Sequence, residues 1–574
     1  MKPTAVTLAD WRAQVDKELA GVAFDKALVH ATAEGLAIQP LYTESAVDPG
    51  LPGAAPFTRG SAARPAPFQV CMQVGPPAQR GPGALEAELA GGTDALWIQS
   101  DAADREPYVF AASHGLAVIS DLEEPPEAER VESGPAASGA WFSTDPITGV
   151  ARGLAPGPEL AARIQAIGGV VERGLHRSPL QRTVRVSGLA FHDAGADAAD
   201  ELALMLSSGV AYLRALTDHG IAVDAAARAL WVQIAIGRDT FGELCKLRAL
   251  RRCWHKVLAA TGAADVPPPP IHAVCASRTQ SLHDPWVNML RVTTEVFAAA
   301  LGGAERITPA AFDAAFGPAS DHGRRVARNT ALVLREECHL GRVVDPGGGA
   351  YYIEQRSEAL ARAAWTQFSR IERDGGIAKL LVSGGLRARL DDAWQHRAQA
   401  IAKRKEPVLG VSEFANVDEK LPAPVPAAPA APASPALAVH RDAEAFEAVR
   451  ARIAAAPRNV VLVTLGPPAE HRGRVGFARA LFATGGLRTR ELAAAEASDL
   501  AGVDVACLCG SDERYAAEAV QRAGELRAAG ARKIVVAGRP GALEAELRAA
   551  GVTGFVFVGC DVVATLSELI GGAA

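Results

Sequence analysis

At 574 residues the chain exceeds what one hydrophobic core usually supports, so two or more domains are expected. A net charge of −6 and a pI near 6.2 leave no basic footprint of the kind that nucleic acid binding requires. No run approaches the ~18 apolar residues of a membrane span, and Met1-Lys-Pro-Thr-Ala-Val6 lacks the apolar core of a secretory signal, so a cytoplasmic chain with no membrane partner is expected.

The first segment, 1–55, carries Trp11-Arg-Ala-Gln-Val-Asp-Lys-Glu-Leu19 and Gly35-Leu-Ala-Ile-Gln-Pro-Leu-Tyr42 without a strand pattern, and it reads as an arm that contacts a partner chain. From 56 to 410 strand-like and helix-like segments alternate, as α/β layers require. Expected strands are Phe68–Val74, Asp94–Ile98, Leu116–Ile119, Thr183–Ser187 and Ile271–Cys275, with amphipathic stretches at Ala198–Thr217 and Ala225–Ala260. Such alternation over more than three hundred residues suits a closed (β/α)8 TIM-type barrel. If the Phe68, Val70, Met72 and Val74 face of its first strand points inward, those side chains fill its interior.

Several features invite a site and have a plainer reading. Lys246, Arg248, Arg251 and Arg252 share one helical stretch and read as its solvated face. Gly347-Gly-Gly349 has no Lys-Ser/Thr after it, as a phosphate loop would need, and reads as a tight turn. The eight cysteines include no C-x-x-C pair, and Cys507 and Cys509 read as neighbours on one face of a buried strand. No metal site is expected.

Residues 411–457 form a linker and lead-in helix, and the tract from Leu421 to Ala438 is uncharged and Pro/Ala-rich, the composition of an extended spacer. The last domain, 458–574, opens with an apolar strand, Val460–Thr464, the loop Gly466-Pro-Pro-Ala-Glu-His-Arg-Gly473, and a helix over Arg474–Thr484.

Six segments in order, Phe191–Ala203, Ile236–Ala249, Asp284–Glu295, Leu301–Ala304, Arg325–Thr330 and Gly341–Tyr352, resemble the barrel of the methylmalonyl-CoA mutase family. With the last domain, which is similar to that family's flavodoxin-like, doubly wound cobalamin domain, the resemblance covers nearly the whole chain. It implies adenosylcobalamin chemistry on short acyl-CoA thioesters, and it also shows where this sequence departs from the catalytic pattern.

The family's D-x-H-x-x-G loop, whose histidine ligates cobalt, falls here on Pro468, Glu470 and Gly473, and only the glycine is kept. Glu470 is a hard oxygen donor, and Pro468 has no acceptor to orient a slipped ligand such as His471. The loop that holds the nucleotide tail reads Cys509-Gly-Ser-Asp-Glu513, and the family's Gly-Gly pair reads Ala537-Gly538. In the barrel, Ser61–Val70 lacks the expected tyrosine block, and Ala276-Ser-Arg-Thr-Gln-Ser-Leu-His283 lacks the histidine that polarises the thioester, His283 reading as structural.

A framework kept with its chemistry removed resembles the small subunit of heterodimeric mutases. The resemblance implies no catalytic residue, no metal and no cofactor on this chain. Adenosylcobalamin and the acyl-CoA substrate would be held by a homologous large subunit. Three other readings stay open here: an active acyl-CoA mutase using His471, a CoA-binding regulatory module, and a subunit of a mutase acting on another short acyl-CoA.

Overall fold

The computed structural model describes residues 6–44, 48–99, 104–120, 141–153, 158–177, 182–420, 437–493 and 503–571. The expected spacer, apart from Leu437 and Ala438, lies outside them.

The arm begins with a helix, Leu8–Glu18, capped by Thr7, and none of its side chains is buried. A short helix Phe24–Leu28 follows, then a two-stranded hairpin of β1 (His30–Ala31) and β2 (Ala37–Ile38), turned by Gly35 at φ +76°. The absence of a strand pattern was therefore misleading for this short ribbon, whose two-residue strands are too brief to show alternation.

Eight parallel strands close the barrel: β3 (Gln69–Val74), β4 (Ala95–Ile98), β5 (Ala117–Ser120), β6 (Trp141–Thr144), β7 (Arg182–Ser187), β8 (Leu230–Ile236), β9 (Ile271–Cys275) and β10 (Arg306–Thr308). β10 pairs with both β9 and β3, which removes every edge. Strand β8 lies inside the stretch Ala225–Ala260, expected to be helical throughout. Its run Leu-Trp-Val-Gln-Ile-Ala-Ile is buried on both faces and so carries no alternation. The helix proper begins at Thr240, with Asp239 accepting from the Gly242 amide.

Strand parity is the reverse of the conditional sequence reading. Val70 and Met72 belong to the layer of outward side chains that surrounds the barrel, and Val74 joins the cluster of Leu85, Leu96 and Ile98. The inward side chain of β3 is Cys71, which joins Trp97, Ile119, Trp141 and Trp231.

The second unit is a parallel five-stranded sheet, β11 (Val460–Thr464), β12 (Thr489–Ala493), β13 (Val505–Cys509), β14 (Lys533–Ala537) and β15 (Val552–Val556), in the order β12-β11-β13-β14-β15. Alternate residues feed two cores, Leu462, Cys507 and Val535 toward Phe446, Phe482 and Leu566, and Val463, Leu508 and Val536 toward Tyr515, Leu526 and Leu547. Cys507 and Cys509 share a face as expected, with sulfurs 3.9 Å apart and fully buried.

The chain leading into this unit crosses the C-terminal face of the barrel. The amides of Leu437, His440 and Asp442 donate to the carbonyls of Ala151, Asp193 and Arg278, which belong to segments following β6, β7 and β9. Asp442 is 2% exposed and accepts from Arg397 through both oxygens at 2.7 Å and from Arg238 at 3.2 Å. Burial alone would raise its carboxyl, but Arg397 outweighs burial and holds it well below the usual carboxylate range.

Candidate functional site

A parallel barrel places its functional loops at the C-terminal ends of its strands, and an open parallel sheet places its ligand crevice where neighbouring connections diverge. Both places are defined here.

Along the barrel axis the space is occupied by side chains. Trp97, Trp141 and Trp231 are all buried, with Trp141 and Trp231 ring centroids 5.3 Å apart. Trp97 stands edge-on to His272 at 5.3 Å, and the Arg306 guanidinium lies 3.7 Å from the Trp141 ring centre. The Trp231 indole donates to the Phe142 carbonyl at 3.1 Å. His272 shares hydrogen-bond contacts with Gln233 at 3.2 Å and Thr308 at 2.8 Å, and burial, then the Arg306 and Arg185 charges, press it well below its usual pKa. The ring is therefore neutral at pH 7, and this row leaves no axial shaft for an extended acyl chain. Sequence reasoning had Trp97 inside an expected strand; the signal it lacked was parity, which a fully buried strand does not display.

Above the tryptophans lies a cavity of about 630 Å³, floored by Trp97, Leu189, Ala235 and Ala276 and opening between the segments after β3 and β10. Three of the arginines that line it are paired, Arg80 with Asp104, Arg324 with Glu88 and Arg441 with Glu447, and Arg152, Asp193 and Asp321 line it as well. Ser277, from the segment that lacks the thioester-polarising histidine, donates to Asp193 at 2.9 Å. His283 lies elsewhere, with Nδ1 2.5 Å from Glu419, the carboxylate that also accepts from the Asp284 amide at 2.6 Å. Its structural reading agrees with these contacts.

The basic helical stretch is not a solvated face. Lys246, Arg248 and Arg251 are nearly inaccessible, because the helix Thr240–Ala260 is covered by Tyr351–Arg373 and neighbouring helices. Lys246 Nζ reaches Glu201 at 2.9 Å, Glu243 at 2.6 Å and the Ala235 carbonyl at 2.7 Å. Burial would raise Glu201, but Lys246 and His192 outweigh it and hold its carboxyl at about 2. Arg248 pairs with Asp345 and Glu354, and Arg251 donates to the Gly302 and Gly303 carbonyls. A charge run does not reveal carboxylates supplied from remote segments. Gly347-Gly-Gly349 is the tight turn expected, with the Gly348 amide donating to Asp345 O and Gly349 at φ +88°.

In the second unit Pro468, Glu470 and Gly473 are helical, not part of a loop. The helix runs Pro468–Thr484, beginning earlier than Arg474 because proline suits the first helical position and Glu470 complements the amide end. His471 is therefore a helical residue as well. Glu470 accepts from Arg514 Nε at 2.6 Å, an ion pair that spans from the helix after β11 to the segment after β13. Behind it Arg474 donates to the Gly510 carbonyl at 2.7 Å and lies over the Tyr515 ring at 4.7 Å. Tyr515 OH shares its one proton between the carbonyls of Leu508 and Ala537, at 3.0 and 2.9 Å, and accepts from the Gly510 amide. A β-carbon added at Gly538 would meet Tyr515 at 3.3 Å, so this corner is already filled.

These residues do not fit a cobalamin. No imidazole stands at the ligand position, the crevice beside it holds Tyr515 and Arg474, and Glu470 is committed to Arg514. Among the described residues no cluster of histidine, cysteine or carboxylate could hold a metal ion, and no helix is long and apolar enough to cross a membrane.

A closed parallel (β/α)8 barrel joined to a second, five-stranded parallel α/β unit is the class of protein that this fold defines. The profile of the methylmalonyl-CoA mutase family matches residues 152–464, and the chain belongs to that family. It is 36% identical to the methylmalonyl-CoA mutase small subunit of Streptomyces virginiae, over 96% of this chain and 93% of that one. It is 32% identical to the small subunit of Propionibacterium freudenreichii subsp. shermanii, over 97% and 91%. The methylmalonyl-CoA mutase of Escherichia coli strain K12 is 28% identical over 71% of this chain.

Proposed function

We propose that this chain is the non-catalytic small subunit of a heterodimeric, adenosylcobalamin-dependent methylmalonyl-CoA mutase, which interconverts (R)-methylmalonyl-CoA and succinyl-CoA. The large subunit holds cobalamin and acyl-CoA, and this chain supplies a rigid partner surface. The observation that carries this reading is the row Trp97, Trp141 and Trp231 on the barrel axis, where a catalytic barrel needs open space. The Tyr515–Arg474 filling and the Glu470–Arg514 pair extend it to the second unit, whose strand order suits a degenerate flavodoxin-like domain. Positions 468, 470, 473, 537 and 538 are then relics of a cofactor site that bind nothing.

The partner-contact role falls to the arm, 1–55. Val6, Leu8, Val22, Leu41 and Leu51 are exposed along it, and its first helix has no fully buried residue, Trp11 packing on Phe24 of the same arm. Apolar side chains presented on a segment with little core of its own gain most from a second chain. The proposed assembly is cytoplasmic.

The test is the visible absorbance of the chain after incubation with adenosylcobalamin and desalting, alone and co-purified with the large subunit. A corrin spectrum only in the complex, at one cobalamin per pair, is expected. Stoichiometric cobalamin on the isolated chain would overturn the reading in favour of an active mutase.

A further inference from the structure

We infer that the β-hairpin of the arm is a proton-controlled lid, latched to the barrel by Glu34 where three carboxylates, Glu34, Asp197 and Asp200, meet at one helix N-terminus. The inference concerns contacts within this chain and stands apart from whether the arm binds a partner.

The hairpin is turned over the barrel rather than packed into it. Beneath Thr32, Glu34 and Leu36 lies a cavity of about 390 Å³ whose inner wall carries His192, Glu201, Lys246 and Arg278. Leu36 touches the barrel core, Glu34 Oε1 accepts from the Ala198 amide at 3.2 Å, and the Glu34 charge also acts on Arg397. Ala198 opens the helix Ala198–Asp218, whose N-cap Asp197 accepts from the Asp200 amide at 2.8 Å. A helix N-terminus favours a carboxylate, but three around one terminus repel one another.

The surrounding charges decide which carboxylate yields. Asp200 is paired with Arg389. Arg397 is bound by Asp442 and Glu406, and Arg238 faces the same two carboxylates. Lys405 lines the cavity under the hairpin, and Asp392 and His396 line the neighbouring one at Asp197. Asp197 has no ion-pair partner among the described residues, and burial, then the Asp200 and Glu34 charges, raise its carboxyl to about 7.

The sign follows from linkage. With the lid down Asp197 holds its proton to higher pH than with the lid lifted, when the Glu34 charge and the covering hairpin leave it. Lid attachment is therefore stronger while Asp197 is protonated and weakens as pH rises through about 7. Above that, ionised Asp197 repels Glu34, and water enters the chamber of buried charges.

The experiment is amide hydrogen exchange on the full chain between pH 6 and 8, corrected for the intrinsic pH dependence of exchange. Protection at Ala198, Thr32 and Leu36 is expected to fall about fivefold or more across that range. In Asp197→Asn the protection becomes independent of pH, and in Glu34→Gln, which keeps an acceptor but no charge, its slope is smaller. Flat protection in the wild-type chain overturns the inference, as does a fall that persists in Asp197→Asn. If Asp197→Asn does not fold, an unchanged slope in Glu34→Gln overturns it alone.

Discussion

The barrel axis and the crevice of the second unit are both filled, the first by rings in van der Waals contact and the second by polar side chains bound to carbonyls and to each other. Trp97, Trp141 and Trp231 occupy the axis by volume, with the Trp231 indole nitrogen satisfied by the Phe142 carbonyl. Arg474, Tyr515, Arg514 and Glu470 hold the crevice through directional contacts, two of them ion pairs that solvent reaches. Core volume is costly to remove, whereas exposed ion pairs contribute little. The barrel filling therefore doubles as stabilising core, while in the crevice Tyr515 belongs to the core of the second unit and only the exposed ion pairs around it contribute little.

The largest expected effect breaks the first half of that comparison. Trp231→Ala removes a fully buried ring that touches Trp141 and faces His272, and it should destabilise the barrel by about 4 kcal/mol. Urea denaturation followed by tryptophan fluorescence and circular dichroism would measure it. A loss under about 1 kcal/mol would show that the axis is loosely filled, and the argument for a sealed barrel would fail with it.

Next in size is the joint between the two regions. Asp442→Asn removes the charge facing Arg397 and Arg238 in a buried setting, leaving two guanidinium groups short of a counter-charge, at a cost of about 3 kcal/mol. Because Asp442 is held well below the usual carboxylate range, its contribution is complete above the ordinary aspartate pKa and is lost only as pH falls through that depressed value. The wild-type joint should then keep its strength from pH 8 to pH 5, and the variant should show earlier proteolysis near residue 437 across that window. Equal proteolysis in both would show that the lead-in backbone contacts suffice.

How much of this was legible depended on what each residue reveals locally. Ile271–Cys275 was read as a strand because turn residues and proline flank a short apolar run, and Ala198–Thr217 as a helix because its apolar spacing is periodic. Leu230–Ile236 was hidden, since a strand buried on both faces between two helices has no period of its own. Which face of Gln69–Val74 points inward is a property of closure, set when β10 pairs with β3, and no local pattern encodes it. The burial of Lys246 and Arg248 depends on Glu201, Asp345 and Glu354, each dozens of residues away. The missing cobalt ligand at Glu470 was legible from its residue type; that Pro468 starts a helix there became clear only in the fold.

The smallest stability effect bears on the second half of the comparison. Glu470→His restores an imidazole at the position where the family carries its cobalt ligand and breaks the pair with Arg514, whose side chains are 35% and 41% exposed. Such a pair contributes under about 0.5 kcal/mol, so the melting temperature should barely move. If the ligand alone were missing, this one change would confer some corrin binding. The filling argues otherwise, because Tyr515 stays bound to the Leu508 and Ala537 carbonyls and Arg474 stays over its ring. No retained corrin absorbance is expected in Glu470→His, nor after adding Ala537→Gly, since the tyrosine ring still occupies the corner beside Gly538. Absorbance retained by the single variant would mean that the crevice opens readily and that its closure rests on the Glu470–Arg514 pair, making the second unit a cofactor site one residue from function.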